Sequence, residues 1–407
     1  MAGPLANIRV LDLSRILAGP WCGQLLADLG AEVIKVERPG TGDDTRHWGP
    51  PFLKKADGSD TGEAAYYTST NRGKKSVTLN IAHSEGAAIA RRLAAKSDVL
   101  IENYKVGGLK KYGLAYDDLA RENPRLVYLS ITGFGQTGPY RDLAGYDFMI
   151  QGMGGMMAIT GERDDLPGGG PQKVGVAVAD LTTGLYSAVG IVSALLERER
   201  TGKGRYIDMA LLDCQVALLA NQNLNYFASG KPPGRYGNAH ANLVPYQVFE
   251  TADDPVIIAV GNNDQFRKLC ELMEVPEWAS DERFAGMPGR IRNRDTLVPM
   301  VAQRVKLKPR KFWLDNLERL GVPTGPINRL DQVWADPQVQ HRGLRFALPH
   351  PEAAEAPGVK SPIRYGTEAQ ASALPAPTLG QHTDEILGSL AGLDAAAIDR
   401  LRREGVV

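Results

Sequence analysis

Residues 8–36 read IRVLDLSRILAGPWCGQLLADLGAEVIKV, and this stretch decides the fold. Residues 8–13 form a short run of branched apolar side chains, which is typical of a buried strand. Pro20 favours a helix start, because the N–H that proline lacks has no partner in a first helical turn. The pattern therefore predicts a helix over 21–29 and a second strand over 31–36, a βαβ unit with two parallel strands.

The same alternation continues along the chain. Apolar runs at 76–79, 98–102 and 126–131 predict strands, and residues 84–95 and 116–122 predict helices between them. Strands that alternate with helices favour a doubly wound α/β lobe, in which ligands bind at the carboxyl ends of the strands.

Composition excludes several classes of protein. The 407 residues suffice for two domains, and 47 basic residues balance 47 acidic ones, which argues against a nucleic-acid partner. The three cysteines lie far apart without metal-ligand spacing, so that we expect reduced thiols, a cytoplasmic protein and no metal site. We find neither a signal-peptide pattern nor an apolar stretch long enough to span a bilayer, and we therefore expect no membrane association.

The loops of the first lobe suggest how it handles phosphate. The turn at 17–20 lacks the glycine pattern with which a dinucleotide fold approaches a pyrophosphate, which argues against a dehydrogenase. Basic side chains occur instead in loops that we expect beside the strand ends: Arg38, Arg72, Lys74, Lys75, Lys105, Lys110 and Lys111. Such a group suits a ligand with several phosphates, as in coenzyme A (CoA). The alternative for each residue alone is an ordinary solvated side chain.

Asp180 follows a glycine-rich loop and a short apolar run, at the predicted start of a long helix over 181–198. One interpretation is an N-cap, whose carboxylate accepts hydrogen bonds from the first helical turn. The other is a nucleophile, because a cap would keep the carboxylate ionised and nearby N–H groups would stabilise an oxyanion. The two interpretations are compatible.

A series of segments, in order along essentially the whole chain, resembles the class III CoA-transferases, the formyl-CoA transferase or carnitine dehydratase-like family. The segments are VLDL (10–13), LAGP (17–20), GAEVIKVERPG (30–40), GDDTR (42–46), NRGKKS (71–76), ENY (102–104), SITGFG (130–135), ADLTTG (179–184), GVPTGPIN (321–328) and LGQHT (379–383). Within this family, residues 42–52, 238–249 and 336–344 resemble the subgroup that transfers CoA from succinyl-CoA to glutarate.

The resemblance implies a mechanism centred on Asp180. Its carboxylate would attack the donor thioester, release CoA and form an aspartyl anhydride. The CoA thiolate would return to give an aspartyl-CoA thioester, from which the acceptor acid takes the CoA. No metal and no permanently bound cofactor are implied, and the substrates are an acyl-CoA and a dicarboxylic acid such as glutarate. Since an anhydride hydrolyses, the site must exclude water.

The resemblance also implies an interlocked homodimer. Each chain would have a Rossmann-like large domain that binds CoA at 1–225, a smaller α+β domain at 226–328, and a segment at 329–407 that returns to the large domain. By position, the implied CoA-binding residues are Arg38, Arg72, Lys75, Asn103, Tyr104 and Lys111.

A dicarboxylate acceptor needs a cation for its distal carboxylate. Arg46 is the first candidate and Arg15 the second, because a guanidinium binds a carboxylate through two parallel hydrogen bonds. The alternative for Arg46 is an ion pair with Asp43 or Asp44.

Three further residues are expected to contact substrate. Leu17 stands where the family carries an active-site glutamine, and Tyr146 is expected to line the acyl pocket or to hydrogen-bond Asp180. His240 belongs to the loop Gly234–Asn242, the expected lid. Structural roles are the alternatives for Tyr146 and His240. Leu17 and the absence of a four-glycine run argue against oxalate as the acceptor.

Two other functions stay open. Racemases of 2-methylacyl-CoA share the implied fold but pair the aspartate with a histidine in a Gly-His-Asp segment. This chain has Gly145-Tyr146-Asp147, and tyrosine is a poor base near neutral pH. A CoA-binding protein without catalysis is the other alternative, and it would bind CoA without turnover.

Overall fold

The βαβ unit predicted from residues 8–36 is present in the computed structural model, which describes residues 3–407. It consists of β1 (Arg9–Asp12), α1 (Ala18–Asp28) and β2 (Glu32–Glu37). The two strands pair in parallel, with Val10 opposite Val33.

The remaining elements follow in chain order. The strands are β3 (Phe52–Lys54), β4 (Asp60–Ala64), β5 (Lys74–Thr78), β6 (Val99–Glu102), β7 (Val127–Thr132), β8 (Tyr206–Ala210), β9 (Tyr246–Phe249), β10 (Val256–Ala259), β11 (Thr324–Pro326), β12 (Arg345–Leu348), β13 (Ala356–Val359), β14 (Arg364–Tyr365) and β15 (Glu368–Ala369). The helices are α2 (Ala65–Asn71), α3 (Ser84–Ala95), α4 (Tyr116–Glu122), α5 (Asp147–Met153), α6 (Met156–Ile159), α7 (Val178–Thr201), α8 (Leu211–Leu218), α9 (Asn221–Ser229), α10 (Asn263–Leu272), α11 (Met287–Arg292), α12 (Arg294–Val305), α13 (Arg310–Leu320), α14 (Leu330–Ala335), α15 (Pro337–His341), α16 (Thr383–Ser389) and α17 (Ala395–Arg403).

The central sheet has six strands in the order β5-β2-β1-β6-β7-β8, and all neighbours are parallel. The carboxyl ends of β1, β2 and β6 therefore lie side by side at one edge of the sheet. The loops that follow these strands form the edge at which a parallel α/β sheet binds its ligands.

Different helices cover the two faces of this sheet. Side chains alternate between the faces of a strand. Val10 accordingly packs with residues of α1, α5 and α7, whereas its neighbour Leu11 packs with α3, α4, α16 and α17. Both side chains are fully buried, and each such burial stabilises the fold by about 1.5–3 kcal/mol.

The chain divides into two compact units. The described part of unit 1 consists of residues 3–156, 174–224 and 340–407, and unit 2 consists of residues 157–173 and 225–339. Residues 157–173, predicted in the large domain, and residues 329–339, predicted in the returning segment, thus group with unit 2. Local hydrogen bonding holds residues 157–173 there: the Gly237 N–H donates to the Gly161 carbonyl at 3.1 Å, and Arg235 Nε donates to the Glu162 carbonyl at 3.3 Å.

Unit 2 has a small antiparallel sheet of its own, in the order β11-β10-β9. Its core contains Phe266, Phe284 and Trp313. The Trp313 indole N–H donates to the Val305 carbonyl at 2.8 Å, so this buried polar group is satisfied.

Helix α7 is apolar and long enough to meet the length and composition of a membrane span. One of its faces is buried in the core of unit 1, where Ala179 and Ile191 pack with α1 and the sheet. Core packing therefore accounts for the apolar residues on that face.

Candidate active site

Asp180 is the third residue of α7, and the N-cap position is Ala177. The prediction that Asp180 caps the helix is therefore wrong. Asp147, at the start of α5, serves as the cap: its Oδ1 accepts from the N–H of Ala179 at 2.8 Å and from that of Asp180 at 3.4 Å. A carboxylate from a neighbouring helix satisfies the orphan N–H groups, so the helix begins before Asp180 and leaves that carboxyl free.

Gln151 fixes the capping carboxylate. Its Nε2 donates to Asp147 Oδ2 at 2.7 Å, and its Oε1 accepts from the Val174 N–H at 2.8 Å. Gln151 is fully buried, so the orientation of Asp147 is set by packing as well as by hydrogen bonds. Both oxygens of Asp147 are thus engaged, one by the helix and one by Gln151.

The Asp180 carboxyl group has a strongly shifted pKa. Burial, and then the negative charge of Asp147, raise its pKa from 3.8 to about 7. Desolvation disfavours the charged form of a carboxyl, and a like charge nearby acts in the same direction. A half-buried, poorly solvated carboxylate that is substantially ionised at neutral pH is a more basic nucleophile than an exposed aspartate.

Tyr66, in the first turn of α2, belongs to the same site. Burial, and then the charges of Asp180 and Asp147, raise the pKa of Tyr66, so its phenol remains protonated at neutral pH. Its ring packs edge-on against Trp48, with the centroids 5.0 Å apart. Tyr66, Asp147 and Gln151 are site residues that the sequence did not predict. The available signal was the segment Gly145-Tyr146-Asp147, of which only the tyrosine was predicted to contact substrate.

Helix α7 packs closely against the start of α1. A Cβ added to Gly184 would lie 2.7 Å from the Ala18 carbonyl oxygen, so only glycine allows this approach. Asp180 lies one turn before Gly184 and therefore shares its face of the helix. Leu17, the N-cap of α1, is buried. Within residues 3–407 no side chain caps this helix, and no acidic residue occupies its first turn. The first N–H groups of α1 are therefore suited to an anion.

The loop before α1 is strained. Ile16 has φ of 74°, a left-handed conformation that a β-branched residue rarely adopts. Its N–H lies 3.3 Å from both carboxylate oxygens of Asp43, and Asp43 is paired in turn with the buried Lys35 at 2.9 Å. Strain of this kind persists where surrounding contacts impose it, and it is frequent at active sites.

Several expected ligand-binding residues meet at the carboxyl edge of the sheet. Asn103, which follows β6, accepts from the Arg15 N–H at 3.0 Å and donates to the Arg15 carbonyl at 2.7 Å. The Arg15 guanidinium lies 6.0 Å from the centre of the Tyr104 ring and 2.9 Å from Asp44. Arg38 directly follows β2 at the same edge, and Lys111 is exposed in the 3₁₀ turn Lys110–Tyr112.

Arg72 and Lys75 lie at the opposite edge, contrary to the expectation for CoA-binding residues. In the register of β2 with β5, Ile34 is opposite Lys75 and Glu37 is opposite Thr78, so Lys75 belongs to the amino end of β5. Lys75 Nζ pairs with Glu32 at 3.0 Å and with Glu385 at 2.7 Å. Arg72 is buried in an ion pair with Asp28. The prediction that this basic run lies at the carboxyl end of a strand is therefore wrong.

The structure also corrects the role expected for Arg46. Its side chain is 5% exposed, and its Nε and Nη2 each donate to Glu37 at 2.8 Å. Nη1 donates to Glu63 at 2.9 Å, and Nη2 also contacts the Tyr67 hydroxyl and the Pro377 carbonyl. All three guanidinium nitrogens already have acceptors, which leaves none of them for a substrate carboxylate. Arg46 forms ion pairs, as the alternative interpretation predicted, but its partners are Glu37 and Glu63 and not Asp43 or Asp44.

Tyr146 is the N-cap of α5, beside Asp147, and its side chain is 65% exposed. Among residues 3–407 its hydroxyl makes no hydrogen bond to Asp180. His240 belongs to unit 2, where its Nδ1 accepts from the Asn242 N–H at 2.9 Å and its ring lies 5.1 Å from that of Tyr246. These contacts order the loop Gly234–Asn242. In the part of the chain that the structure describes, no group of three potential metal ligands occurs.

Comparisons with known proteins identify the family of the chain. The model of the family described as CoA-transferase family III matches residues 5–383. The succinate–glutarate CoA-transferase of Agrobacterium fabrum is 50% identical over 394 residues, which is 97% of each chain. The succinyl-CoA:glutarate CoA-transferase of Mus musculus is 44% identical over 404 residues, 99% of this chain and 90% of the relative. A crystal structure of a CAIB/BAIF family protein from Brucella suis is 51% identical and covers 96% of this chain and 100% of its own, with a TM-score of 0.83.

Proposed function

The chain belongs to CoA-transferase family III and is a CoA-transferase, and we propose that it transfers CoA from succinyl-CoA to glutarate with Asp180 as the acyl carrier. The observation that carries the role of Asp180 is its position: a half-buried carboxyl with a pKa raised to about 7, one helical turn before Gly184, which packs against Ala18 at the start of α1. The names of the relatives that match over nearly the full length of this chain support the substrate pair.

The reaction begins with attack of an Asp180 oxygen on the thioester carbonyl carbon of succinyl-CoA. The C–S bond breaks, CoA leaves as thiolate, and a succinyl-aspartyl anhydride remains. The thiolate then attacks the aspartyl carbonyl carbon, which releases succinate and forms an aspartyl-CoA thioester. Each attack develops an oxyanion, and the N–H groups at the start of α1 are suited to stabilise it.

The second half repeats these steps in reverse order. A glutarate carboxylate attacks the aspartyl thioester and releases the thiolate, which leaves a glutaryl-aspartyl anhydride. The thiolate attacks the glutaryl carbonyl carbon, forms glutaryl-CoA and restores the Asp180 carboxylate. The Tyr66 phenol, protonated at neutral pH, is suited to donate a hydrogen bond to the carboxylate or to an intermediate.

For CoA itself we propose the carboxyl edge of the sheet. Arg38, Asn103, Tyr104 and Lys111 follow β2 and β6 there, and Arg15 is tied to the same edge through Asn103. This position favours a contact of Arg15 with CoA over a contact with the acceptor acid. The loop 79–83, which follows β5, also reaches this edge. We propose that this loop contacts CoA and that Arg72 and Lys75 do not.

We also propose that the enzyme is an interlocked homodimer of Rossmann-like large domains in the cytoplasm. The solvent-facing stripe of α7 supports a partner: Leu185, Val189, Val192 and Leu196 follow helical spacing and are 40–68% exposed in the single chain. A continuous apolar stripe of this kind is typical of a protein–protein interface. Light scattering should give twice the chain mass for the wild type and a smaller mass for Val189→Glu. A wild-type monomer at assay concentration would contradict the dimer.

The direct test of function is a CoA-transfer assay read by mass spectrometry, with succinyl-CoA and a panel of mono- and dicarboxylic acids. We expect glutaryl-CoA from glutarate, and loss of at least about a thousandfold in kcat for Asp180→Asn. Asp213→Asn is the matched control, because Asp213 is likewise the third residue of its helix but is exposed. No transfer to any diacid, together with α-proton exchange of 2-methylacyl-CoA in heavy water, would identify a racemase instead.

A further inference from the structure

Unit 2 contains a cavity of about 270 Å³ that the proposed mechanism does not use. Its lining includes Tyr236, Asn238, Gln247 and Arg294. Pockets for drug-sized ligands have volumes of roughly 300–1,000 Å³, so this one suits a small organic molecule. The two amide side chains and the guanidinium give it hydrogen-bond donors.

Arg294, the first residue of α12, is the unusual member of this lining. Its Nη2 donates to the carbonyl oxygens of His240 at 2.7 Å and Ala241 at 2.9 Å. Its guanidinium carbon lies 4.6 Å from the centre of the Tyr236 ring. Nη1, in contrast, is buried and has no hydrogen-bond partner among the residues that the structure describes.

This arrangement leaves a charged donor unsatisfied. In residues 3–407, no carboxylate lies within ion-pair distance of Arg294. Burial lowers the pKa of Arg294, and the electrostatic effects of Tyr236 and Asp295 offset this only in part. An unpaired buried donor is costly, and more so when it is charged, whereas a carboxylate would give it a strong, charge-assisted bond.

The other charges in the lining do not supply that partner. Asp295 pairs with Arg163 at 3.0 Å, and Arg163 also pairs with Asp165. Glu162 accepts from the Arg163 N–H at 2.8 Å and packs against Gly237, where an added Cβ would lie 2.6 Å from its Oε1. Glu162 thus has a structural role in the loop. Its negative charge would repel a bound anion, so a neutral residue at this position should tighten anion binding.

We propose that this cavity binds a small dicarboxylate and that Arg294 is the cation that receives one of its carboxylates. To the extent that the bound diacid is the acyl acceptor, the inference rests on the proposed function. Because Nη1 is shielded in the free protein, the half-exposed Tyr236 side chain moves aside when the ligand enters. Nη2 continues to donate to the carbonyl oxygens of His240 and Ala241, and Nη1 donates to the carboxylate of the ligand.

The test is calorimetric titration of the full-length enzyme with glutarate, in the presence of saturating CoA, where no acyl donor allows turnover. We expect Arg294→Gln to weaken glutarate binding by at least about tenfold, while Arg292→Gln, an exposed arginine two residues away, has no effect. The neutral diamide of glutarate should bind weakly and equally to all variants. CoA affinity and thermal stability of each variant check that the fold is intact.

Glu162→Gln provides a variant of opposite sign, since loss of a negative charge from the lining should tighten glutarate binding. Equal glutarate affinity in wild type and Arg294→Gln, or no glutarate binding by the wild type, would overturn the proposal. Steady-state kinetics then separate two sources of the diacid. An acceptor site predicts that KM for glutarate rises with the dissociation constant, and an effector site predicts an unchanged KM with loss of diacid inhibition or activation. Both differ from a failure of the proposed function, which would abolish transfer in the wild type.

Discussion

Asp147 caps the helix on which Asp180 stands, with its Oδ1 2.8 Å from the Ala179 nitrogen and 3.4 Å from that of Asp180. A single carboxylate therefore fixes the start of α7 and places a negative charge next to the proposed nucleophile. The first effect orients Asp180, and the second makes its carboxylate more basic. The site uses a pair of carboxylates in which one is held by hydrogen bonds and the other is left to react.

This pairing predicts a shift in the pH profile of Asp147→Asn. Activity requires the ionised form of Asp180, so kcat/KM in the wild type should rise with pH through about 7. Removal of the Asp147 charge lowers the pKa of Asp180, so the acidic limb of the profile should move to lower pH, by on the order of one unit. An unchanged limb, or one shifted to higher pH, would separate Asp147 from the titration of Asp180.

The raised pKa also predicts that the nucleophile destabilises the fold. The folded protein holds the Asp180 proton up to about pH 7, whereas an unfolded chain releases it near 3.8. Stability therefore falls as pH rises between these values, and the full cost is present above about pH 7. Asp180→Asn should exceed the wild type in stability by a few kcal/mol at about pH 8, and the difference should vanish near pH 4. Denaturant titrations at both pH values measure this, and a less stable Asn variant at pH 8 would contradict it.

The two edges of the sheet predict different outcomes for two basic residues. Arg38→Ala should raise the dissociation constant for CoA by about tenfold, because the loop after β2 lies at the ligand-binding edge. Lys75→Ala is the matched control and should change CoA affinity by less than about twofold, since its ammonium faces Glu32 and Glu385 at the other edge. Titration of CoA into both variants decides the matter. A large loss of CoA affinity in Lys75→Ala would support the prediction from the sequence that Lys75 binds CoA.

Arg46 should behave as a structural residue. Arg46→Met leaves the buried Glu37 and the half-buried Glu63 without their cation, and loss of one partner of a buried ion pair typically costs about 3–5 kcal/mol. The free energy of unfolding should fall by roughly this amount, with KM for succinyl-CoA and glutarate affected to the same degree. A stable variant with a selective rise in KM for glutarate would return Arg46 to the substrate site.

Sequence reasoning succeeded where local pattern and order along the chain decide the outcome. The branched run of β1, the glycine at the end of α1 and the regular alternation that follows predicted the parallel sheet. The position of Asp180 at the beginning of a long helix was also predicted. These features depend on residues near one another in sequence, so hydrophobic periodicity and the positions of glycine and proline predict them.

It failed where contacts join distant residues. Nothing near Asp180 in sequence shows that Asp147, 33 residues earlier, supplies the cap. The burial of Arg46 depends on Glu63 and Pro377, and the position of Lys75 depends on the register of β5 against β2. The orphan nitrogen of Arg294 becomes evident only once the loop around His240 is in place.

The most direct test of the central claim is chemical trapping of acylated Asp180. The enzyme is mixed with succinyl-CoA without acceptor, quenched with hydroxylamine, digested and analysed by peptide mass spectrometry, with Asp180→Asn as the control. The account predicts a hydroxamate on Asp180 in the wild type and none in the variant. A wild-type enzyme that transfers CoA but shows no modification, or a modification on another residue, would contradict Asp180 as the acyl carrier.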